Sequence, residues 1–268
     1  MNNLKIFSTN LSDGAFSSSV KFYPKEYTNE MIVKEYHKRV VDISKKYDFD
    51  PLRLIKVAQK GVNKSSIHED GKHILITNEL VEELFKDYKY LVDTELFCDI
   101  FVMKSDVKDT VIGVPGADCP PIVAFSKDKE IVSIAHCGGS YIDRYLPVNV
   151  VDALQKEKKV LDEDIKVYVG PCIGKESYIY DRYPKWATNS DIWNDAIVKD
   201  DDNNYYIDLR YAIKKQLLKR NIKEENIIFN PIDTYENENY PSNRALSQGE
   251  EKKIGQMFTG AFYRKKNR

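Results

Sequence analysis

Residues 113–140 read GVPGADCPPIVAFSKDKEIVSIAHCGGS, and this stretch decides the fold because it outlines a β-hairpin. Two apolar runs, 121–125 and 130–135, are separated by a short polar SKDK turn. Cys119 stands just before the first run, and His136 follows the second run, 17 residues after Cys119. The hairpin therefore predicts that these two reactive side chains lie at adjacent strand ends and share one pocket.

Three interpretations of Cys119 and His136 follow from their chemistry. They could be ordinary core residues, since cysteine is often buried. Three neighbours favour a functional site: Asp118 precedes the cysteine, prolines 120–121 remove two backbone donors after it, and glycines 138–139 allow a ligand close to the backbone. A functional pair could be zinc ligands or a thiolate nucleophile and its base. The local sequence does not choose between them.

Outside the hairpin, hydrophobic periodicity predicts alternating helices and strands. One helix runs from a Thr28 cap to Tyr47, one is capped by Asn78, one is opened by Pro147, and one is capped by Asp208. Ser247 and Glu250 have capping-box spacing. The remaining predicted strands are 4–8, 52–59, 73–77, 101–103, 111–114, 165–170, 226–229 and 256–263. The pattern favours an α+β fold over residues 1–268, a single domain with a central mixed sheet flanked by helices.

Composition excludes several classes of protein. The chain has 268 residues with 41 basic and 42 acidic side chains, and its net charge of −1 gives no electrostatic case for nucleic acid or an anionic membrane. The first residues lack an apolar signal core, and no apolar run approaches membrane-spanning length. Four irregularly spaced cysteines fit reduced thiols, so a cytoplasmic location is expected. The oligomeric state is not determined by the sequence.

Three segments together resemble a known family. The chain reads GADCPP at 116–121, HCGGSY at 136–141 and GPCIGKESYIY at 170–180. This ordered set is similar to the TADCxP, HAGWRG and GPxIGxxxYEV segments of the YfiH/laccase-domain family, which is associated with purine nucleoside phosphorolysis and deamination. The resemblance implies a YfiH-like fold, also that of the cytotoxic necrotising factors, and a purine nucleoside as small-molecule substrate. It implies zinc held by Cys119, His136 and a third histidine.

The chain departs from the family pattern at that third ligand. Lys60 stands where the family has the histidine, and lysine is a poor zinc ligand at neutral pH because its ammonium must first lose a proton. Zinc would then need a replacement donor, for which His68, His73 and Asp233 are candidates. Arginines of the family are also missing, so phosphate would have fewer bidentate donors.

Three hypotheses follow. The first is a divergent YfiH-type enzyme acting on purine nucleosides at zinc, with Cys119 and His136 as catalytic and metal-binding residues. Lys60, Asp118, Gly138 and Gly139 would bind substrate. The second is a metal-free hydrolase or glutamine deamidase with Cys119 as nucleophile and His136 as base. The third is an inactive relative that serves as a binding module. Copper oxidation is not expected, because four histidines are too few for multicopper sites.

Overall fold

A computed structural model describes residues 4–14, 16, 23, 25–49, 53–56, 72–86, 98–107 and 110–264, and their fold is α+β. The helices are α1 (Asn29–Tyr47), α2 (Asn78–Phe85), α3 (Gly139–Ile142), α4 (Leu146–Glu157), α5 (Ser190–Trp193), α6 (Leu209–Lys219) and α7 (Asn243–Ser247). The strands are β1 (Leu4–Ser8), β2 (Leu54–Lys56), β3 (His73–Ile76), β4 (Ile100–Lys104), β5 (Val111–Gly116), β6 (Pro121–Ser126), β7 (Ile131–His136), β8 (Lys166–Val169), β9 (Ile179–Tyr180), β10 (Ile197–Lys199), β11 (Tyr205–Ile207), β12 (Ile227–Phe229) and β13 (Met257–Tyr263).

The central element is a six-stranded mixed sheet in the order β12-β8-β6-β7-β4-β3. Side chains alternate across it, as the two-residue period of a strand requires. Val102 belongs to the core that this sheet forms with α4 and α6, whereas its neighbour Phe101 belongs to the core on the opposite face. Both faces of the sheet are therefore buried, which explains why its central strands read as nearly continuous apolar runs.

A second, four-stranded sheet in the order β1-β13-β5-β2 covers that opposite face. Its outer side packs against α1, where Tyr36, Val40 and Ile43 meet Phe258 and the aromatic residues around it. The layers are thus a helix, two face-to-face sheets and a second helical layer. A small antiparallel sheet in the order β10-β11-β9 lies against the core of the second helical layer. The predicted α+β class is confirmed, and the strands divide among three sheets.

The predicted hairpin is confirmed, although its strand bounds shift by one residue. β6 and β7 pair antiparallel from Pro121 opposite His136 to Ser126 opposite Ile131. Glu130, placed in the second strand by the sequence, instead lies in the turn with a positive φ of 52°. The final strand is also confirmed, as β13.

Three predicted helix starts need correction. Thr77 caps α2 in place of Asn78, because its hydroxyl accepts from the backbone N–H of Leu80 at 3.2 Å. Pro147 is the second residue of α4, which begins at Leu146. The predicted capping box is wrong, because Ser247 ends α7 rather than starting a helix.

Two expectations reach beyond the described residues. Only Leu54–Lys56 of the predicted strand 52–59 is described as strand, and positions 52 and 57–59 lie outside the described part of the chain. In the part that is described, no helix combines the length and apolarity needed to cross a membrane. The assignment of residues 1–268 to one domain stays a prediction.

Candidate active site

The open end of the hairpin brings Cys119 and His136 to one point. Both side chains surround the backbone of Gly138: a Cβ atom built there would lie 3.2 Å from Cys119 Sγ and 3.9 Å from His136 Nε2. Both residues are partly exposed, at the ends of two central strands of the sheet. A side chain at position 138 would therefore occupy the volume that the two reactive atoms share, so glycine keeps that volume open for a ligand.

The imidazole of His136 is held in one tautomer. Its Nδ1 lies 2.8 Å from the carbonyl oxygen of Pro115, and because a carbonyl only accepts, Nδ1 carries the proton. In the neutral ring Nε2 then holds the lone pair, on the side that faces Cys119. Burial lowers the pKa of His136, which keeps the ring neutral at pH 7. His136 can thus accept a proton or ligate a metal.

A strained turn delivers Cys119 to this point. Asp118 has a φ of 70°, and the N–H of Cys119 donates to the carbonyl of Ala117 at 2.9 Å. A hydrogen bond across one residue with positive φ is a γ-turn of the rare, strained kind. For a residue with a Cβ this backbone costs about 1–2 kcal/mol. Such strain persists only where the surrounding structure holds it.

The Asp118 carboxylate provides that hold. One oxygen accepts from Thr234 Oγ1 and the other from the N–H of Arg244, each at 2.7 Å. The Asp118 carbonyl accepts from the N–H of Ile173 at 2.9 Å. Burial raises the pKa of Asp118 despite these bonds. Asp118 therefore positions the turn that carries Cys119. Its direct contact with substrate stays a prediction.

Lys253 supports the same turn from behind. Its buried ammonium donates to the carbonyls of Thr234, Asn237 and Tyr240 at 2.9, 2.6 and 3.1 Å. The lysine therefore fixes the loop that carries Thr234, and through it Asp118. Burial lowers the pKa of Lys253, and the nearby acidic groups oppose that shift.

The thiol of Cys119 is protonated in this environment. Burial raises its pKa to about 12, and the charge of Asp118 acts in the same direction. A cysteine nucleophile needs the opposite: a cation or a helix N-terminus that lowers the pKa and yields thiolate at pH 7. With His136 neutral, no such cation stands beside Cys119 in the pair itself. The electrostatics disfavour the metal-free Cys–His hydrolase.

An aromatic wall, formed by Tyr178, Tyr180 and Trp186, borders the pocket. A Cβ on Gly139 would come within 2.6 Å of the Trp186 ring, so this glycine lets the indole lie on the backbone. Tyr178 and Trp186 are nearly parallel, with an interplanar angle of 15° and centroids 6.5 Å apart. None of these residues was predicted from the sequence, although both tyrosines belong to the GPCIGKESYIY segment.

Arg244 places a cation on this wall. Its guanidinium carbon lies 4.9 Å from the Tyr180 ring centroid and 5.9 Å from that of Tyr178. Its Nε is buried and has no hydrogen-bond partner among the residues that the structure describes. The Arg244 backbone N–H also donates to Asp118, which ties the start of α7 to the turn before Cys119. The pocket thus offers a flat apolar surface and a positively charged guanidinium whose Nε–H has no acceptor among the described residues.

The described residues do not fit a zinc ion on their own. Cys119 and His136 supply a sulfur and a nitrogen around one point, but a catalytic zinc needs three protein ligands. Across the described ranges, no three His, Cys, Asp or Glu side chains are grouped to hold a metal. Lys60, at the family's third ligand position, lies outside the described residues, so its predicted contact with substrate also stays a prediction.

The two replacement candidates that the structure describes, His73 and Asp233, do not supply the third donor. His73 Nε2 lies 2.8 Å from Glu157 Oε1, on an edge strand of the large sheet. Asp233 Oδ2 accepts from Ser177 Oγ at 2.7 Å. His68 lies outside the described residues.

Comparisons with known proteins bear on the family and the fold. Residues 90–264 match the family described as "Multi-copper polyphenol oxidoreductase laccase". Two curated relatives are "Purine nucleoside phosphorylase RP494" of Rickettsia prowazekii (strain Madrid E), 32% identical over 143 residues, and "Purine nucleoside phosphorylase RC0672" of Rickettsia conorii (strain ATCC VR-613 / Malish 7), 29% identical over 141 residues. Each match covers 51% of this chain and 57% of the relative, so the chain spans little more than half the length of these relatives.

Solved structures confirm the YfiH-like fold. YlmD from Geobacillus stearothermophilus has a TM-score of 0.70 at 17% identity, with 98% of this chain and 93% of that chain covered. The Bacillus licheniformis hypothetical protein YfiH has a TM-score of 0.66 at 17% identity, covering 86% and 82%. Neisseria meningitidis protein NMB0706 has a TM-score of 0.66 at 16% identity, covering 98% and 95%. At these identities the likeness concerns the fold alone, and the comparison with cytotoxic necrotising factors stays a prediction.

Proposed function

We propose that this chain, which belongs to the multi-copper polyphenol oxidoreductase laccase family, is a phosphorylase-like enzyme of purine nucleosides. The names of the two curated relatives support the substrate class. The observation that carries the proposal is the position of Arg244, whose guanidinium lies over the rings of Tyr178 and Tyr180 while its backbone N–H donates to Asp118, the residue before Cys119. One site then has a surface for a planar base and a donor for phosphate.

The purine base would stack on the aromatic wall. Aromatic side chains bind flat rings by offset stacking, and Tyr178 and Trp186 lie nearly parallel. Arg244 would bind the phosphate through its planar guanidinium, which matches phosphate geometry better than an ammonium does. Gly138 would let the ribose lie close to the backbone. The contact of Gly139 with substrate stays a prediction, because the Trp186 indole lies against that glycine.

Phosphorolysis joins a phosphate oxygen to the anomeric carbon of the ribose and breaks the bond from that carbon to the purine nitrogen. The phosphate loses a proton in this step, and the departing purine gains one. His136 fits both transfers, because its neutral ring presents a lone pair at Nε2 and Pro115 holds the other nitrogen. The protonated thiol of Cys119 would remain a hydrogen-bond donor beside it.

Zinc binding by Cys119 and His136 stays a prediction. Zinc would supply a Lewis acid at the reacting oxygen, but its third donor would have to come from outside the described residues. No catalytic step is assigned to it. Elemental mass spectrometry of the purified protein, with and without added zinc, measures it directly.

The test is release of free purine from adenosine, inosine and guanosine, with and without phosphate, followed by chromatography. We expect phosphate-dependent release, and replacing Arg244 by glutamine should raise the KM for phosphate by at least about tenfold. Arg182→Gln is the matched control, since Arg182 is an exposed arginine with a weak ion pair at 3.7 Å.

Other outcomes separate the alternatives. Conversion of adenosine to inosine without phosphate would indicate deamination instead. Ammonia release from a glutamine peptide, lost in Cys119→Ala, would favour the hydrolase. No turnover of any of these substrates by zinc-supplied protein would refute the proposal and leave the inactive binding module.

A further inference from the structure

We infer that Asp143 is a positioning residue of the candidate active site: it fixes the Trp186 indole beside Gly139 and so determines how well the pocket binds a flat base. The inference rests on the proposed function, because it assigns that indole to the purine. Asp143 would not touch the substrate and would act through Trp186 alone.

The Asp143 carboxylate is buried and accepts four hydrogen bonds. The residue is 8% exposed and follows α3, the short helix that begins at Gly139. Its Oδ1 accepts from the backbone N–H groups of Thr188 and Asn189, each at 2.8 Å, and from Nε1 of Trp193 at 2.7 Å. Its Oδ2 accepts from Thr188 Oγ1 at 2.7 Å. Bonds to a carboxylate are stronger than neutral ones, so these donors are held firmly in place.

The four bonds reach Trp186 by two routes. The first is the chain itself: Thr188 lies two residues after Trp186, so fixing its backbone limits where the indole can lie. The second is packing, because Trp193, which is bonded to Asp143, meets the Trp186 ring edge-on, with centroids 5.1 Å apart and an interplanar angle of 72°. Aromatic pairs favour this arrangement. Asp143 therefore fixes both the loop that carries Trp186 and the ring that supports it.

The surface that receives the indole belongs to the same short helix as Asp143. Trp186 lies so close to Gly139 that a Cβ atom there would come within 2.6 Å of its ring. The N–H of Asp143 donates to the carbonyl of Gly139 at 2.9 Å, so the two residues are one helical turn apart. The residue that the indole contacts and the residue that holds its loop are thus fixed to each other. Since Gly138 immediately precedes this helix, the indole is also fixed relative to the reacting pair.

A purely structural role for Asp143 would have a different signature. Its loss would then lower the free energy of unfolding and leave the kinetic constants of the folded protein unchanged. A positioning role instead predicts that the two KM values separate. The KM for nucleoside should rise, whereas the KM for phosphate should not, because Arg244 lies on α7 and has no bond to Asp143.

The first measurement needs no substrate. Trp186 and Trp193 are the two tryptophans of the chain, and two indoles in contact couple to give paired ultraviolet circular dichroism bands of opposite sign. We expect Asp143→Ala to lose these bands and Asp143→Asn to keep them, because the amide oxygen can still accept from the three N–H donors. Asp195→Ala should also keep them. It is the matched control, since Asp195 is an exposed aspartate just after α5 whose bond to Lys215 at 2.8 Å lies on the surface.

The second measurement is the steady-state phosphorolysis of adenosine and inosine. In Asp143→Ala the KM for nucleoside should rise at least about fivefold, the size of one lost contact between a base and an aromatic ring. The KM for phosphate should stay the same, and Asp143→Asn should restore the nucleoside KM. If Asp143→Ala does not fold, Gly139→Ala takes its place, because the new Cβ displaces the indole directly. It should raise the same KM, and it should add nothing in a Trp186→Ala background.

Three results would overturn the inference. They are paired bands that persist in folded Asp143→Ala, a nucleoside KM that is unchanged in a variant without the bands, and equal rises in the KM for nucleoside and phosphate. A wild-type protein that turns over no nucleoside refutes the proposed function instead. Loss of the bands in Asp143→Ala would still support the positioning of Trp186, so the two failures are distinguishable.

Discussion

The γ-turn at Asp118 predicts a reversal of the usual order of glycine and alanine. At an ordinary position a protein with glycine is less stable than one with alanine by roughly 0.5–1 kcal/mol, because glycine loses more backbone entropy on folding. At Asp118, with φ at 70°, alanine would keep the strain and glycine would relieve it. We therefore expect Asp118→Gly to be more stable than Asp118→Ala.

The magnitudes follow from the contacts of Asp118. Both variants lose the two bonds from Thr234 and Arg244 at 2.7 Å, and hydrogen bonds to a charged group contribute about 1.5–3 kcal/mol each. Each variant should therefore lose on the order of 3 kcal/mol or more relative to the wild type. Relief of about 1–2 kcal/mol of left-handed strain outweighs the entropic penalty of glycine. The net advantage of Asp118→Gly over Asp118→Ala is then about 1 kcal/mol.

Urea denaturation measures the difference, with the fluorescence of Trp186 and Trp193 as the signal. The control is the same pair of substitutions at Asp181, an exposed loop residue that is not among the positive-φ positions. There alanine should be the more stable. An Asp118→Ala protein as stable as Asp118→Gly would refute the view that this turn is strained.

Three further predictions concern the same region. Lys253→Met should lower the free energy of unfolding, measured in urea, by about 2–4 kcal/mol, because three buried carbonyls lose their donor. The same substitution at exposed Lys252 should change it little. Equal effects of the two substitutions would contradict the buried role of Lys253. Since burial raises the pKa of Asp118, the folded protein holds that proton more tightly than the unfolded chain. The stability of the wild type relative to Asp118→Asn should then fall as pH rises from about 4, and a difference that grows with pH would oppose this reasoning. In metal-stripped protein, Cys119 should react with iodoacetamide at pH 7 far more slowly than free cysteine. A pKa of about 12 leaves on the order of a thousandfold less thiolate. Rapid alkylation, measured by mass spectrometry, would instead support the hypothesis of a cysteine hydrolase.

Local patterns in the sequence predicted local structure. The hairpin was predictable because its two apolar runs and polar turn are contiguous, and strand pairing then fixes where Cys119 and His136 lie. The start of α2 was misplaced by one residue because Thr77 and Asn78 are both good capping types, and only the backbone conformation chooses between them.

Contacts between distant segments could not be predicted. The bond from Thr234 to Asp118 joins residues 116 positions apart, and no local pattern announces it. The division into separate sheets depends on which distant strands pair, as when β13 inserts between β1 and β5. The position of Arg244 on the aromatic wall arises in the same way, from packing of segments that are far apart in sequence.

The pairing of β1 has a consequence for the order in which the two large sheets can form during synthesis. Among the strands that the structure describes, β1 pairs with β13 alone, and Ser8 and Thr259 are 251 residues apart. At synthesis rates of about 5–20 residues per second, β1 would wait roughly 10–50 s for its partner on the ribosome. The six-stranded sheet needs nothing beyond β12, so it can assemble earlier. Until β13 emerges, β1 would therefore remain unpaired while the six-stranded sheet is already complete.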